Sequence, residues 1–123
     1  MVYSAHMRQT AGWQSKGVTV IARPLRYPKN WPHEKGIDVL LAIDFCTLAS
    51  KYDVGIMFSA DTDLSPALEY VAKSHHPFMK VEVAGWRSDW HRLRLGVPGA
   101  SVWCHWLSRA DHDQVADTAD YTV

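Results

Sequence analysis

A near-continuous apolar run, Val54-Gly55-Ile56-Met57-Phe58, leads straight into Ser59-Ala60-Asp61-Thr62-Asp63. A run this short and this apolar predicts a buried strand of a parallel sheet. A parallel neighbour can be reached only through a crossover, usually a helix. The sequence supplies one: Ser65 is a cap and Pro66 a first-turn proline for a helix through Leu68 and Val71 towards Ser74. In such sheets ligands bind at the carboxyl ends of the strands, and Asp61 and Asp63 fall at that end.

The remaining pattern extends the same alternation. Val18-Thr19-Val20-Ile21-Ala22 is β-branched and stopped by Pro24, which predicts a strand; Pro28, Asn30 and Pro32 then mark a loop. The spacing of Ile37, Leu40, Leu41, Phe45 and Leu48 predicts a helix over 34–50. Residues 79–84 alternate Met79, Val81 and Val83 against Lys80 and Glu82, a further strand, and 101–106 gives a last one. Between them lies a basic, tryptophan-bearing connection with a helical turn expected near 88–94. The order implies one α/β domain over 1–123 with a mainly parallel sheet, ending in an acidic tail at 110–123. No apolar run approaches the roughly 20 residues of a membrane helix. The N-terminal segment lacks a signal-peptide pattern, and two cysteines, Cys46 and Cys104, suit reduced thiols in a cytoplasmic protein.

With 13 basic and 13 acidic residues the formal charge is zero, which on bulk electrostatics speaks against nucleic acid. The distribution says otherwise. Residues 1–35 carry six bases against Glu34, and 36–70 carry six acids against Lys51. Residues 71–109 hold six bases and two acids, and the tail four aspartates with no base. An acidic centre flanked by basic segments can hold cations beside phosphates, although solvated faces of opposite sign give the same count.

Two carboxylates spaced i, i+2 repel unless a cation or a shared proton compensates. A hard divalent cation takes one or two carboxylates and keeps positions open for water and phosphate. Asp61 and Asp63 can equally be turn and cap residues. Asp38 and Asp44 lie on the helix read over 34–50, where Asp44 falls within the apolar stripe and the opposite face (Val39, Ile43, Cys46) is also apolar. That helix is therefore expected to be buried nearly all round, with both aspartates partly desolvated and in need of partners or a metal. The calcium-loop spacing from Asp61 fails, because Pro66 and Ala72 stand at the glycine and glutamate positions. His33-Glu34 does not continue into a zinc-protease motif, and there is no glycine-rich phosphate loop, nucleophile elbow or CxxC pair. His75-His76 with Cys104-His105 is a weak zinc alternative. Trp103 and Trp106 are expected to pack; Trp86 and Trp90, among Arg87, Arg92 and Arg94, could stack on bases or pack in a core.

Taken in order, the segments Glu34-Lys35-Gly36-Ile37-Asp38-Val39-Leu40-Leu41-Ala42-Ile43-Asp44, Tyr52-Asp53-Val54 and Ser59-Ala60-Asp61-Thr62-Asp63-Leu64-Ser65-Pro66, with Glu69 beyond and Lys80-Val81-Glu82-Val83-Ala84 after it, resemble the NYN domain. This family is a branch of the PIN-like metal-dependent ribonucleases, and the likeness covers roughly residues 18–84. It implies a three-layer α/β/α sandwich with an acidic cleft for Mg²⁺ or Mn²⁺ and hydrolysis of RNA phosphodiester bonds. Position by position it makes Asp38, Asp61 and Asp63 the metal-binding cluster with Asp44 in support. It places Lys35 and Ser59 beside the cleft, and Arg23, Arg26 and Arg87 on the substrate's phosphates. RNA, single-stranded or structured, is the implied partner, with a homodimer left open and no membrane. The chain departs from the family at its start. The family opens on a strand bearing an aspartate, whereas nothing before Val18 is Asp, Glu or Asn, and Val2-Tyr3-Ser4 looks like the family's second strand. The expectation is a domain lacking its first strand, with a non-catalytic RNA- or protein-binding module as the alternative to a ribonuclease.

Overall fold

A computed structural model describes residues 2–74 and 80–122. Among these the chain is mixed α/β, with four helices and a three-stranded parallel sheet. The elements are α1 (Val2–Ser15), α2 (Ile37–Thr47), β1 (Val54–Phe58), α3 (Ser65–Lys73), β2 (Lys80–Trp86), β3 (Cys104–Leu107) and α4 (Arg109–Val115). Short 3₁₀ turns occupy Pro28–Asn30, Leu48–Lys51 and Thr62–Leu64. The chain divides into two compact units, one made of 1–37 and 116–123 and the other of 38–115. No helix among the described residues is long and apolar enough to cross a membrane.

The unit 38–115 holds the whole sheet. Its strand order is β1-β2-β3, with Gly55 opposite Val81, Met57 opposite Val83, and Val83 opposite Cys104. Partners in register share a face. Met57, Val81, Val83 and Cys104 therefore form one buried surface, and Leu64, Leu68 and Val71 from α3 and its entry turn close over it. Leu95, Val97 and Val102, from the connection between β2 and β3, complete the core. The opposite face is largely open. Val54, Ile56 and Phe58 are each about half exposed, and on the same side Glu82 meets Lys80 at 3.7 Å and the His105 ring at 3.4 Å. The apolar run of β1 is thus half-buried and lies at an edge, not between two neighbours. Its second face is apolar and only half covered.

Helix α2 departs from the expectation in the same way. It is apolar all round, yet none of its residues is buried; Ala42, Phe45 and Cys46 rest against the core while Val39, Leu41 and Ile43 stay exposed. Gly55 makes its closest contact with β1 possible. A Cβ there would lie 2.6 Å from the Tyr52 ring and 3.0 Å from Phe45, and the Tyr52 hydroxyl donates to the Phe45 carbonyl at 2.7 Å.

The other unit corrects two sequence expectations. Residues 18–22 form no strand among the described residues, and Val18 and Ile21 are exposed. β-propensity records how well a residue fits a pleated, half-buried surface, and no ladder forms here to provide one. Val2-Tyr3-Ser4, read as strand-like, begins α1. The reason is the stretch that follows, where Ala5, Met7, Arg8, Gln9 and Ala11 are good helix formers without a proline. Arg26 and His33 pair as an isolated antiparallel bridge around the Pro28–Asn30 turn. In the tail, Tyr121 accepts from Arg8 at its carbonyl and donates its hydroxyl to Asp117.

Residues 88–94 form no helical turn. Arg87 and Arg92 bridge in antiparallel fashion, and the Ser88 hydroxyl accepts from the Trp90 and His91 amides, closing a tight loop. Trp106 packs against the core as expected, but Trp103 is exposed. Part of the acidic tail is helical: at the start of α4 the Asp111 carboxylate accepts from the Ser108 amide at 2.7 Å, and the Asp111 amide donates to the Ser108 hydroxyl at 3.4 Å. This reciprocal cap is legible as Ser-x-x-Asp and was the overlooked signal for the helix.

Candidate metal centre

The carboxyl end of β1 is shaped by three short-range hydrogen bonds. The Ser59 hydroxyl accepts from the Asp61 amide at 3.0 Å, and Asp61 Oδ1 accepts from the Asp63 amide at 2.9 Å. The Leu64 amide then donates to the Asp61 carbonyl at 3.1 Å, completing the 3₁₀ turn that feeds α3. Asp61 thus caps the 3₁₀ turn, whereas Ser65, expected to cap α3, is its first residue and the helix follows Leu64 without a side-chain cap bond. Leu64 is buried, which anchors the turn to the core and holds both aspartates at the rim.

Asp38 comes from the first turn of α2. The entry to that helix is set by Gly36, whose φ of +92° suits glycine, and by Glu34, whose Oε1 accepts the Ile37 amide at 2.7 Å. One carboxylate oxygen each from Asp38, Asp61 and Asp63 lies within 4.8 Å of the others. Asp38 is half-buried and the other two are exposed. Residues 23 and 25 positions apart in the chain thus converge on one point, without a cationic side chain paired to any of them among the described residues.

The donor set suits a hard divalent cation. Such a cation is bound by a few carboxylates and completes its shell with water, so Asp38, Asp61 and Asp63 would hold it and leave positions open. Asp61 commits only one of its two oxygens to the Asp63 amide. All-oxygen ligation favours Mg²⁺, Ca²⁺ or Mn²⁺ over zinc or copper.

Asp44 stands apart from this cluster. It lines a groove of about 300 Å³ with Leu41, Leu48, Tyr52 and Ile56 between α2 and β1. Burial pushes the nearby Cys46 thiol up, and burial followed by the proximity of Cys46 pushes the Tyr52 hydroxyl up, so both stay neutral at physiological pH. Ser59 is a partner of the Asp61 backbone. Lys35 is exposed, and the Arg23 guanidinium lies over Gly36, 2.9 Å from where a Cβ would be. The Arg26 backbone exchanges hydrogen bonds with His33 at 2.9 and 2.6 Å. Arg87 follows β2, its amide donating to the Leu107 carbonyl at 2.8 Å. The His75-His76 pair of the zinc alternative lies outside the described residues.

Beside Ser59 and Ala60 the sheet edge carries features that no single-residue reading assembled. Phe58, Gly85, Trp86 and His91 line a hollow of about 320 Å³. Phe58 and Trp86 meet with ring centroids 5.4 Å apart, and His112 of α4 stands edge-on to Trp86 at 6.1 Å. The alternation of β2 contains the signal, since Trp86 follows Lys80 and Glu82 on the open face. No protein-family model matches the chain, and neither the curated proteins nor the solved structures give a significant match.

Proposed function

We propose that this chain is a metal-dependent ribonuclease domain of the NYN type, derived from the three-layer PIN-like sandwich, that hydrolyses RNA phosphodiester bonds with Mg²⁺ or Mn²⁺. The observation that carries the reading is the convergence of Asp38, Asp61 and Asp63 within 4.8 Å at the carboxyl end of a parallel strand. Three like charges gathered there cost free energy unless a cation offsets them. The sequence resemblance selects the same three positions.

Asp38, Asp61 and Asp63 would hold the ion, which when bound supplies a polarised phosphoryl oxygen and a water of lowered pKa. The Ser59 hydroxyl fixes the Asp61 backbone and so aims its carboxylate. Asp44, in its groove beside Tyr52, supports the α2–β1 seam and lies outside the ligand set. Lys35, Arg23, Arg26 and Arg87 are the cations assigned to the RNA backbone, where phosphate contacts position without reading sequence. The free thiols Cys46 and Cys104 suit a cytoplasmic setting.

The test is cleavage of RNA with and without Mn²⁺, together with calorimetric Mn²⁺ binding, in the wild type and in Asp38→Asn and Asp61→Asn. Cleavage that needs Mn²⁺ and is lost in both variants supports the proposal. Absence of Mn²⁺ binding by the folded wild type sinks it. Salt-sensitive RNA binding that survives both substitutions, with no cleavage by the wild type, marks the non-catalytic module instead.

A further inference from the structure

The sheet ends on β1, and this edge lacks the features that usually keep an edge unpaired. Val54-Gly55-Ile56-Met57-Phe58 carries no charge, no proline and no bulge, and no ladder forms on its outer side among the described residues. The Lys80 amide donates to the Asp53 carbonyl, so by the alternation of a strand Gly55 and Met57 also face β2. The N–H and C=O groups of Val54, Ile56 and Phe58 therefore point away from the sheet. A bare apolar edge of this kind is a template for another strand. A groove of about 300 Å³ lies along it, lined by Asp44, Phe45 and Leu48 of α2 and by Val54, Gly55 and Ile56 of the strand itself.

The same chain carries a strand-forming segment without a sheet. Val18-Thr19-Val20-Ile21-Ala22 is as long as β1 and β-branched at every position but the last. It enters no ladder among the described residues, and Val18 and Ile21 are exposed. The charges flanking the two are opposite in sign. Asp53 precedes β1, Asp61 and Asp63 follow it, and Asp44 lines the groove. Lys16 precedes the segment, Arg23 and Arg26 follow it, and no acid occurs before Glu34. Laid along β1 in either direction, the segment brings a base to the acids at each end, and opposite charges across a ladder favour its pairing.

We propose that two copies of this chain pair by exchanging this segment, residues 18–22 of each copy adding as a strand to the β1 edge of the other. Within one copy the segment and the edge are both unpaired, so the second copy supplies the strand. The outward N–H and C=O groups of β1 then enter a ladder. Val18, Val20 and Ala22 cover one face of the new strand, and Thr19 and Ile21 the other. Exchange in both directions closes the assembly as a two-fold dimer. The dimer stands apart from the ribonuclease reading, since neither Mn²⁺ uptake nor RNA cleavage is needed for it.

Sedimentation equilibrium in EDTA, over a wide range of concentration, tests the exchange. Thr19→Pro/Val20→Pro removes two neighbouring N–H groups, one of which faces the accepting edge in either register. Ile56→Pro removes an outward N–H of β1 and spares the bonds to β2, as proline on an edge strand does. The wild type is expected to sediment as a reversible dimer. Each variant loses a ladder bond at both docking sites, so its association is expected to weaken by about tenfold or more. A mixture of the two variants regains one intact docking and should associate more tightly than either alone. Lys16→Glu/Arg23→Glu should weaken the dimer severalfold. If Ile56→Pro does not fold, Ile56→Lys takes its place by putting a charge on the edge. A wild type that stays monomeric at the highest concentration overturns the exchange, as does a dimer that neither proline variant weakens or a mixture no tighter than its components. A monomeric wild type destabilised by Thr19→Pro/Val20→Pro would place the segment within its own copy and overturn the dimer. Unchanged affinity in Lys16→Glu/Arg23→Glu rejects the charge match that selects this segment, and the proposal with it.

Discussion

Helices α2 and α3 flank the same strand, yet they are stabilised in different ways. α2 has eleven residues, nearly all apolar apart from its aspartates, and buries none of them. α3 has nine residues with a polar face, and buries Ala67, Leu68 and Val71. Apolar content does not explain this; position over the sheet does. α3 lies over the β1–β2 pair, where Met57, Val81 and Val83 present a continuous apolar surface. α2 rests on that core through Ala42, Phe45 and Cys46, leaving Leu41 and Ile43 about half exposed. A stripe buries surface only where another element stands opposite it.

The comparison breaks most directly with paired truncations. Leu68 is fully buried, so Leu68→Ala should cost about 3 kcal/mol, within the range of roughly 2–5 for core leucines, measured by urea unfolding. Leu41→Ala should cost about 1 kcal/mol by the same measurement, because Leu41 is already 41% exposed and lines an open groove rather than the core. Equal losses would mean that α2 is covered on its outer face in solution.

The seam between α2 and β1 offers the next largest effect. Gly55→Ala places a methyl group against the Tyr52 ring, and overpacking of this kind costs about 1–3 kcal/mol. A shift in unfolding midpoint near zero would show that the Tyr52 ring moves aside freely and that the seam is loose.

The acidic cluster ties the two helices together, since Asp38 belongs to α2 and Asp61 and Asp63 to the entry of α3. Without metal, Asp63→Asn should raise the thermal midpoint slightly by relieving like-charge repulsion, an effect of a few tenths of a kcal/mol. With Mn²⁺ the order should reverse, because binding to the folded state stabilises the wild type by mass action. A lower midpoint for Asp63→Asn in EDTA would show that the cluster is held by something other than a cation.

The smallest effect concerns α4. The backbone and side-chain hydrogen bonds from Ser108 hold the Asp111 carboxyl below its ordinary value of 3.8. The group's contribution is therefore fully present above that ordinary value and is lost as pH falls through the lowered one. Helix content measured by circular dichroism on acidification should show this loss in the wild type and less of it in Asp111→Asn. Identical acid profiles would mean that α4 is held by packing alone.

Much of this was legible in the residues. Val54–Phe58, the strand read over 79–84 and found at Lys80–Trp86, and the helix with Pro66 in its first turn follow from local pattern and stop signals, and the parallel pairing of the two strands follows from the crossover between them. The acidic rim was legible too, because a strand end and a turn with two aspartates need no distant information. The strand expected at 18–22 was not realised, because a strand exists only with a neighbour and no pattern within the segment encodes one. The exposure of α2 escaped for the same reason, since apolarity on every side says that a helix can be buried but not what covers it.

The sequence by itself determined which segments could form helices and strands, which carboxylates would stand at a strand end, and how the charge alternates along the chain. Those properties depend on neighbours within a few positions. Tertiary structure alone decided that Asp38 meets Asp61 and Asp63 while Asp44 does not. It also decided that Phe58 and Trp86 meet on the open face of the sheet and stay half exposed there. Both outcomes depend on which elements lie side by side, and that is settled by the free energy of burying one particular set of surfaces together.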